Sequence, residues 1–192
     1  MSRYVGIDQS YTGFAFVSLD ADGTDVSGNL TSFDAKTGSG IERLLSVYGH
    51  LFNLLHETDD VAHICMEGYS AASKFGREQA GELGAIVKLS IYDFFDRFDD
   101  GHGDLRYPTI VQPSSLKKFV TGSGAAKKNN MLLAVYKKWG FETSDDNLAD
   151  AYSLAQLART LHTGTAELVY EKEALKSVHP HTEMPPATIP NP

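Results

Sequence analysis

Cysteine is almost absent from this sequence of 192 residues. A single cysteine, Cys65, cannot form an internal disulfide, so the sequence favours a reducing cytoplasm as the location of the protein. Long apolar runs are missing too, and none approaches the roughly 18 residues that span a bilayer. The opening residues MSRYVGID lack the apolar stretch of a signal peptide. These absences exclude a disulfide-stapled secreted domain and predict no membrane span.

What is present, 42% hydrophobic and 22% charged residues, is typical of an ordinary soluble globular protein. The length suits one domain with a substantial core. Proline is scarce until the end of the chain, where the stretch HPHTEMPPATIPNP holds five of the seven prolines. We therefore predict one domain over residues 1–176 and a flexible proline-rich tail over residues 177–192.

Acidic residues are missing from residues 105–141, although the formal net charge of the whole chain is −8. This stretch carries seven of the 17 basic residues: Arg106, Lys117, Lys118, Lys127, Lys128, Lys137 and Lys138. A localised basic surface on an acidic body is compatible with a phosphate-rich ligand. A solvated lysine-rich helix face is the alternative.

The hydrophobic periodicity predicts the element order β-β-β-α-β-α-β-α-α. Three opening strands form an antiparallel meander, and VAHICMEG and RYPTIVQP are two later strands. Helices are predicted over residues 41–57, about 75–95, roughly 125–139 and 145–162, with Gly140 ending the third and Ser144 as N-cap of the fourth. The expected fold class is α/β, a mixed five-stranded sheet flanked by helices.

Acidic side chains end two strands and lie on one helix. Asp8 closes the first strand, Glu67 closes the fourth, and Asp150 shares a helix face with Asp146 and Asn147. Burying a lone carboxylate costs several kcal/mol unless something compensates it. A divalent cation such as Mg²⁺ or Mn²⁺, which prefers oxygen ligands, is one compensation. Separate pairing of each acid with a backbone amide or a lysine is the other.

The order of these motifs resembles the RNase H-like nuclease fold, and within it the RuvC family of Holliday junction resolvases, especially its bacteriophage branch. The matching stretches are GIDQSYTGFAF, MEGYSAASKFGREQAGELGAIVK, QPSSLKKFVTGSGAAKK and DDNLADAYSLAQLA, which cover most of residues 4–160. The resemblance implies a homodimer that nicks four-way junctions, forks and other branched DNA with Mg²⁺, leaving 5′-phosphate and 3′-hydroxyl ends. A phage-encoded protein of this kind would work in the cytoplasm of its bacterial host.

The resemblance also implies a four-acid site for two Mg²⁺ ions, for which Mn²⁺ may substitute, at Asp8, Glu67 and Asp150 with one further ligand. Many family members have Asp or His where this chain has Asn147. We favour Asp146 as the fourth ligand, with Asn147 as the alternative. On this hypothesis Asp8, at the end of the first strand, bridges both ions.

Basic and aromatic residues around the acids are expected to contact the DNA substrate. Lys117 and Lys128 match family positions near the scissile phosphate, where an ammonium offsets charge that develops in the transition state. Lys118 and Lys127 are expected to grip the flanking backbone. Four residues after Glu67 are candidates for contacts at the junction centre: Tyr69, Lys74, Phe75 and Arg77. The alternative for Phe75 is that its ring caps the hydrophobic core.

Dimerisation is expected through the helix of residues 75–95, with Ile91 and Phe95 as candidate interface residues. Three rival functions stay open. An actin-like kinase shares the strand-plus-Asp opening, but Ser10 replaces its glycine and the chain is too short for two lobes. A ribonuclease H acting on RNA–DNA hybrids and a non-catalytic binder of branched DNA keep the same scaffold.

Overall fold

A computed structural model describes residues 1–34, 36, 38–68, 77–98 and 107–178 of this chain. The predicted sheet is confirmed, with five strands in the order β3-β2-β1-β4-β5. The strands are β1 (Arg3–Asp8), β2 (Phe14–Leu19), β3 (Val26–Thr31), β4 (Val61–Glu67) and β5 (Thr109–Val111). The helices are α1 (Ile41–His56), α2 (Arg77–Arg97), α3 (Pro113–Thr121), α4 (Lys128–Trp139), α5 (Asp146–Thr163) and α6 (Val169–Leu175).

The sheet is mixed, as the opening meander predicted. β1 pairs antiparallel with β2 and parallel with β4, while β2 pairs antiparallel with β3 and β4 parallel with β5. The carboxyl ends of β1, β4 and β5 therefore meet at one edge of the sheet, where residues that follow parallel strands are brought together.

Helices cover both faces of the sheet. Because successive residues of a strand point to opposite faces, Val5 and Ile7 of β1 pack with α1 and α2 in one apolar cluster. Tyr4 of β1 and Cys65 of β4 pack in a second cluster with α3, α4, α5 and α6. Cys65 is a buried free thiol, as expected for a small core residue.

Two helices were missed and one N-cap was misplaced in the sequence analysis. The stretch RYPTIVQP predicts a strand that ends with Gln112 and Pro113, but Gln112 is an N-cap and Pro113 begins α3, a position that tolerates proline. α6 has only seven residues, too few for a helical period to stand out. The N-cap of α5 is Asp145 rather than Ser144, since the Asp145 carboxylate accepts hydrogen bonds from the amides of Asn147 and Leu148.

Two predictions about apolar faces were wrong. The apolar spacing in residues 41–57 predicts one helical face that includes Ile41, Leu45, Leu51 and Leu55. In α1, however, Ile41 and Leu45 are more than half exposed, and the buried line runs through Val47, Leu51 and Leu55. Ile91 and Phe95 of α2, proposed as an exposed dimer interface, are buried in the cluster shared with α1. The periodicity of an isolated helix cannot tell which neighbour will cover its apolar stripe.

None of the described helices combines the length and the apolar character needed to cross a membrane. The proposed proline-rich tail lies almost wholly outside the described residues, which end at Val178.

Candidate active site

The ends of two adjacent strands bring the first two predicted acids together. β1 and β4 are parallel neighbours, and their register pairs Ile7 with Met66, so Asp8 and Glu67 follow side by side. Strand alternation turns both side chains away from the Ile7 face, toward the face that α5 covers. Asp8 is only 5% exposed. The two carboxyl groups are in hydrogen-bonding contact.

Gly6 lets the third acid approach. A Cβ atom at Gly6 would lie 2.0 Å from the carbonyl oxygen of Ala151 and 2.4 Å from the amide nitrogen of Ala155. Only glycine therefore allows the backbone of α5 to lie directly against the centre of β1. Asp150 precedes Ala151 on α5, and Asp8 follows Gly6 by two residues on the same face of β1. This close packing of helix on strand sets Asp150 beside the pair of strand-end acids.

The start of α5 sets the two candidates for a fourth ligand in different places. Asp146 lines the same small pocket as Asp150. Asn147 lies against the turn between β1 and β2, because a Cβ atom at Gly13 would meet its side-chain nitrogen at 2.3 Å. The geometry thus associates Asp146 with the other acids more directly than Asn147.

A pocket of about 80 Å³ joins the predicted acids and lysines. Acidic side chains of β4 and α5 and basic side chains of α3 and α4 line it: Glu67, Asp146, Asp150, Lys117 and Lys128. Apolar atoms of Met131, Leu132 and Ala149 complete its wall. Five residues from three separate stretches of the sequence therefore face one space.

Burial and mutual repulsion raise the proton affinity of the acids. Burial, then the neighbouring charge of Glu67, raises the pKa of Asp8 well above its ordinary value. Burial also raises the pKa of Glu67, although Asp8 and the Lys117 ammonium act against it. The pKa of Asp150 rises to about 7, through burial and the charges of Glu67 and Asp146. Such perturbed acids in one cleft are typical of functional sites.

Asp146 differs from the other acids because a lysine already pairs with it. The Lys128 ammonium forms an ion pair with its carboxylate, and this hydrogen bond lowers the pKa of Asp146. Lys128 itself is largely exposed, so its side chain can reach solvent or a ligand as well as Asp146.

The type of donor atom in this pocket suits a hard divalent cation. All the candidate ligands are oxygen donors, and among the described residues only Lys117 and Lys128 lower the pKa of Glu67 or Asp150 by their charge. Within the ranges that the structure covers, however, no three acidic, histidine or cysteine side chains surround one point closely enough to hold a metal ion. A cation bound by Asp146 would replace Lys128 as the partner of its carboxylate.

The remaining predicted DNA contacts have mixed placements. Lys118 faces α6, where its Nζ atom lies 2.8 Å from a carboxylate oxygen of Glu173. Lys127 is exposed at the start of α4. Tyr69, Lys74 and Phe75 lie outside the described residues, and of Arg77 only the backbone position, at the start of α2, is described.

One residue of the site was missed in the sequence. The side-chain nitrogen of Gln9 donates a hydrogen bond of 2.9 Å to the backbone carbonyl of Glu67. This bond continues the β1–β4 pairing past its last ladder pair and ties together the two strand ends that carry acids. The carbonyl oxygen of the Gln9 side chain is buried and has no partner among the described residues. The position of Gln9 directly after Asp8 is the feature of the sequence that could have indicated its place in the site.

The sheet order and the helices on both faces define an RNase H-like fold of the RuvC type, as the resemblance implied. The structure is similar to that of Thermus thermophilus RuvC, with a TM-score of 0.63 and 18% identity. It is also similar to T. thermophilus RuvC in complex with Holliday junction substrate, with a TM-score of 0.66 and 18% identity. Each comparison covers 86% of this chain and 98% of the other. No protein-family model matches the sequence, and no curated protein matches it.

Proposed function

We propose that this protein is a metal-dependent endonuclease that resolves Holliday junctions and related branched DNA, a crossover junction endodeoxyribonuclease. The observation that carries the proposal is the pocket in which half-buried acids of β4 and α5 meet two lysines, beside the buried Asp8. Its place at the carboxyl ends of parallel strands is where α/β sheets bind ligands. The RuvC-like fold supports the choice of reaction.

Asp8, Glu67 and Asp150 would hold the divalent ions, with Asp146 as the fourth ligand. A pair of bound Mg²⁺ or Mn²⁺ ions supplies an activated water and stabilises the leaving 3′-oxygen of a phosphodiester. The raised proton affinity of the acids matches this role, because a cation replaces a shared proton in stabilising closely spaced carboxylates. The product ends would be 5′-phosphate and 3′-hydroxyl.

The two lysines act on the DNA. Lys117 is half-buried in the pocket, where its charge already lowers the pKa of Glu67 and Asp150. A fixed ammonium at this point stabilises negative charge that develops on a scissile phosphate. Lys128 exchanges its ion pair with Asp146 for a phosphate oxygen when DNA enters. That exchange clears Asp146 and places a second cation at the substrate.

The protein would act as a homodimer, because paired nicks in two strands of a junction require two sites. Light scattering of the purified protein tests this directly. A molar mass near twice the 21.0 kDa of the chain supports the dimer, whereas a mass of one chain contradicts it.

The deciding experiment offers the protein four DNA substrates. A synthetic four-way junction, a fork, a linear duplex and an RNA–DNA hybrid are incubated with and without Mg²⁺, alongside Asp8→Asn. Paired nicks confined to branched DNA, lost with the metal or with the substitution, are the expected result. The Asp8→Asn side chain keeps the shape of the acid but removes the charge that a cation needs.

Each other outcome has a definite meaning. Preferred cleavage of the hybrid would identify a ribonuclease H. Tight junction binding without cleavage would identify a non-catalytic binder. Unchanged cleavage by Asp8→Asn would mean that the acids of this pocket are not the active site.

A further inference from the structure

A second and larger cavity lies beside α4. It has a volume of about 860 Å³ and is open to solvent between the end of α3, the following loop, α4 and α6. Its polar lining consists of Thr121, Ser123, Lys127, Asn130, Lys137 and Tyr170, with Lys138 beside them. No acidic residue is among its lining residues. We call this cavity the basic groove.

The cations of the basic groove are available to a ligand. Lys127 and Lys137 are exposed, and among the described residues neither forms an ion pair. Lys138 is different, because its Nζ atom lies 2.5 Å from a carboxylate oxygen of Glu171 and donates to the carbonyl oxygen of Phe119. The net charge that the groove presents therefore comes from Lys127 and Lys137.

The basic groove and the acidic pocket lie on adjoining sides of one helix. Residues 127, 130, 134 and 137 follow helical spacing and line the groove, whereas Lys128, Met131 and Leu132 line the acidic pocket. The consecutive residues Lys127 and Lys128 thus point into different cavities. A ligand long enough to cross the start of α4 can contact both.

The floor of the basic groove is formed before any ligand arrives. Gly122 ends α3 with a φ of +81°, a conformation that favours glycine. The ring of Tyr170 packs over it, since a Cβ atom there would lie 3.5 Å from the ring. Ion pairs of Glu171 with Lys138 and of Glu173 with Lys118 fasten α6, which carries Tyr170, to α4 and α3. The shape is therefore held by tertiary contacts.

We propose that the basic groove binds the sugar–phosphate backbone of a duplex arm of the DNA whose scissile phosphate occupies the acidic pocket. This inference rests on the proposed function for the identity of the substrate, and on the groove itself for the site. Lys127 and Lys137 pair with phosphates, while Asn130 and Ser123 offer hydrogen bonds to backbone oxygens. The groove contributes affinity and orientation, and the chemistry stays in the acidic pocket.

The dimensions agree with this ligand. Lys127 and Lys137 are ten residues apart, which corresponds to about 15 Å along a helix axis. One strand of a duplex places a phosphate about every 3.4 Å along its axis, so the two lysines span about four phosphates. A small anion would occupy only a fraction of that length.

The test measures how DNA binding depends on salt. Binding of a four-way junction and of a linear duplex is measured in EDTA, between about 50 and 200 mM salt, for the wild type and for Lys127→Ala/Lys137→Ala. Loss of two phosphate contacts should lower the slope of log affinity against log salt by about 1.8 and weaken binding at least roughly 10-fold.

A matched control removes equal charge elsewhere. Lys36 and Lys172 are exposed and do not line the groove, so Lys36→Ala/Lys172→Ala should keep the wild-type slope. An unchanged slope in the groove variant, or an equal loss in the control, would overturn the proposal. Binding of polyglutamate that depends on Lys127 and Lys137, with DNA binding unaffected, would instead assign the groove to an acidic protein.

The two proposals can fail separately. A protein that cleaves no DNA but shows the reduced slope in the groove variant would retain the groove and lose the nuclease. Junction cleavage with an unchanged slope would retain the nuclease and lose the groove.

Discussion

The two faces of the central sheet differ in what they contain. The face under α1 and α2 is an apolar core, with Val5 and Ile7 of β1 packed against Leu51 and Leu55 of α1. The face under α5 is also apolar over most of its area, but its edge carries Asp8 and nearby acids. Neighbouring residues of one strand therefore differ in their surroundings: Ile7 packs the core and Asp8 faces the proposed site.

This difference separates stability from activity. Acids held together by burial raise the free energy of the folded protein, and sites for metals and substrates commonly carry such strain. The apolar face, by contrast, contributes stability through burial and close packing. Substitutions among the acids should therefore lower activity with little loss of stability. Substitutions on the apolar face should lower stability with little loss of activity, and the following measurements test that separation.

Glu67→Gln should have the largest effect on activity. It removes the charge of a proposed ligand without changing its size, so junction cleavage should fall by more than the roughly 10–100-fold that is typical when a partner of a metal ligand is changed. In EDTA its melting temperature should equal or exceed that of the wild type, because a buried charge beside Asp8 is gone. Cleavage rates test the loss of activity, and thermal melts in EDTA test the melting temperature.

A fall in the melting temperature of metal-free Glu67→Gln would break the comparison. It would mean that the contact of Glu67 with Asp8 stabilises the fold more than the buried charge of Glu67 destabilises it. Retained cleavage would remove Glu67 from the site.

Leu51→Ala should show the converse. Leu51 is fully buried under the sheet, and truncating such a side chain lowers the free energy of unfolding by about 2–5 kcal/mol. Cleavage per folded molecule should stay within about twofold of the wild type at a temperature where the variant is folded. Denaturant titration measures the free energy of unfolding, and rates normalised to the concentration of folded protein measure cleavage. A large loss of rate in folded Leu51→Ala would show that the two faces are coupled.

Asp150 should contribute a pH dependence of known direction to the stability of the metal-free protein. Its pKa is about 7 in the folded chain against 3.8 as the ordinary value, so between these pH values the folded state binds more protons than the unfolded state. Stability in EDTA should therefore fall as pH rises from about 4 to 7, by up to about 1.4 kcal/mol per unit from this group. Asp150→Asn should flatten the slope. His63, whose pKa burial lowers to about 4, contributes a slope of the opposite sign in both proteins, so the difference between them isolates Asp150. Equal slopes for the wild type and Asp150→Asn would contradict the buried, repulsive arrangement.

Much of this architecture could be predicted from sequence, because the signals were local. Alternating apolar strands, the turn residues and the acids at strand ends are each visible within about ten residues of sequence, and the family resemblance ordered them. The sequence predicts all five charged residues of the pocket, and their roles stay predictions: Glu67, Lys117, Lys128, Asp146 and Asp150. What could not be predicted depended on packing between distant segments.

Three particular failures illustrate this dependence. The burial of Ile91 follows from the position of α1 on the same face, which no pattern within α2 records. The ion pair of Lys118 with Glu173 depends on α6 folding back over α3. The role of Gly6 as the contact point for α5 requires knowing which helix lies on β1.

The smallest effect concerns the cap of α5, where two adjacent residues can be compared. Asp145 accepts hydrogen bonds of 2.9 and 3.1 Å from the amides of Asn147 and Leu148, whereas Ser144 is exposed before the helix. Asp145→Ala should lower the free energy of unfolding by about 1 kcal/mol, since two amides lose their acceptor. Ser144→Ala should change it by less than about 0.5 kcal/mol. Because the cap fixes the first turn of α5, where Asp146 lies, Asp145→Ala should also reduce cleavage modestly, and equal effects of the two substitutions would contradict the assignment of Asp145 as the cap.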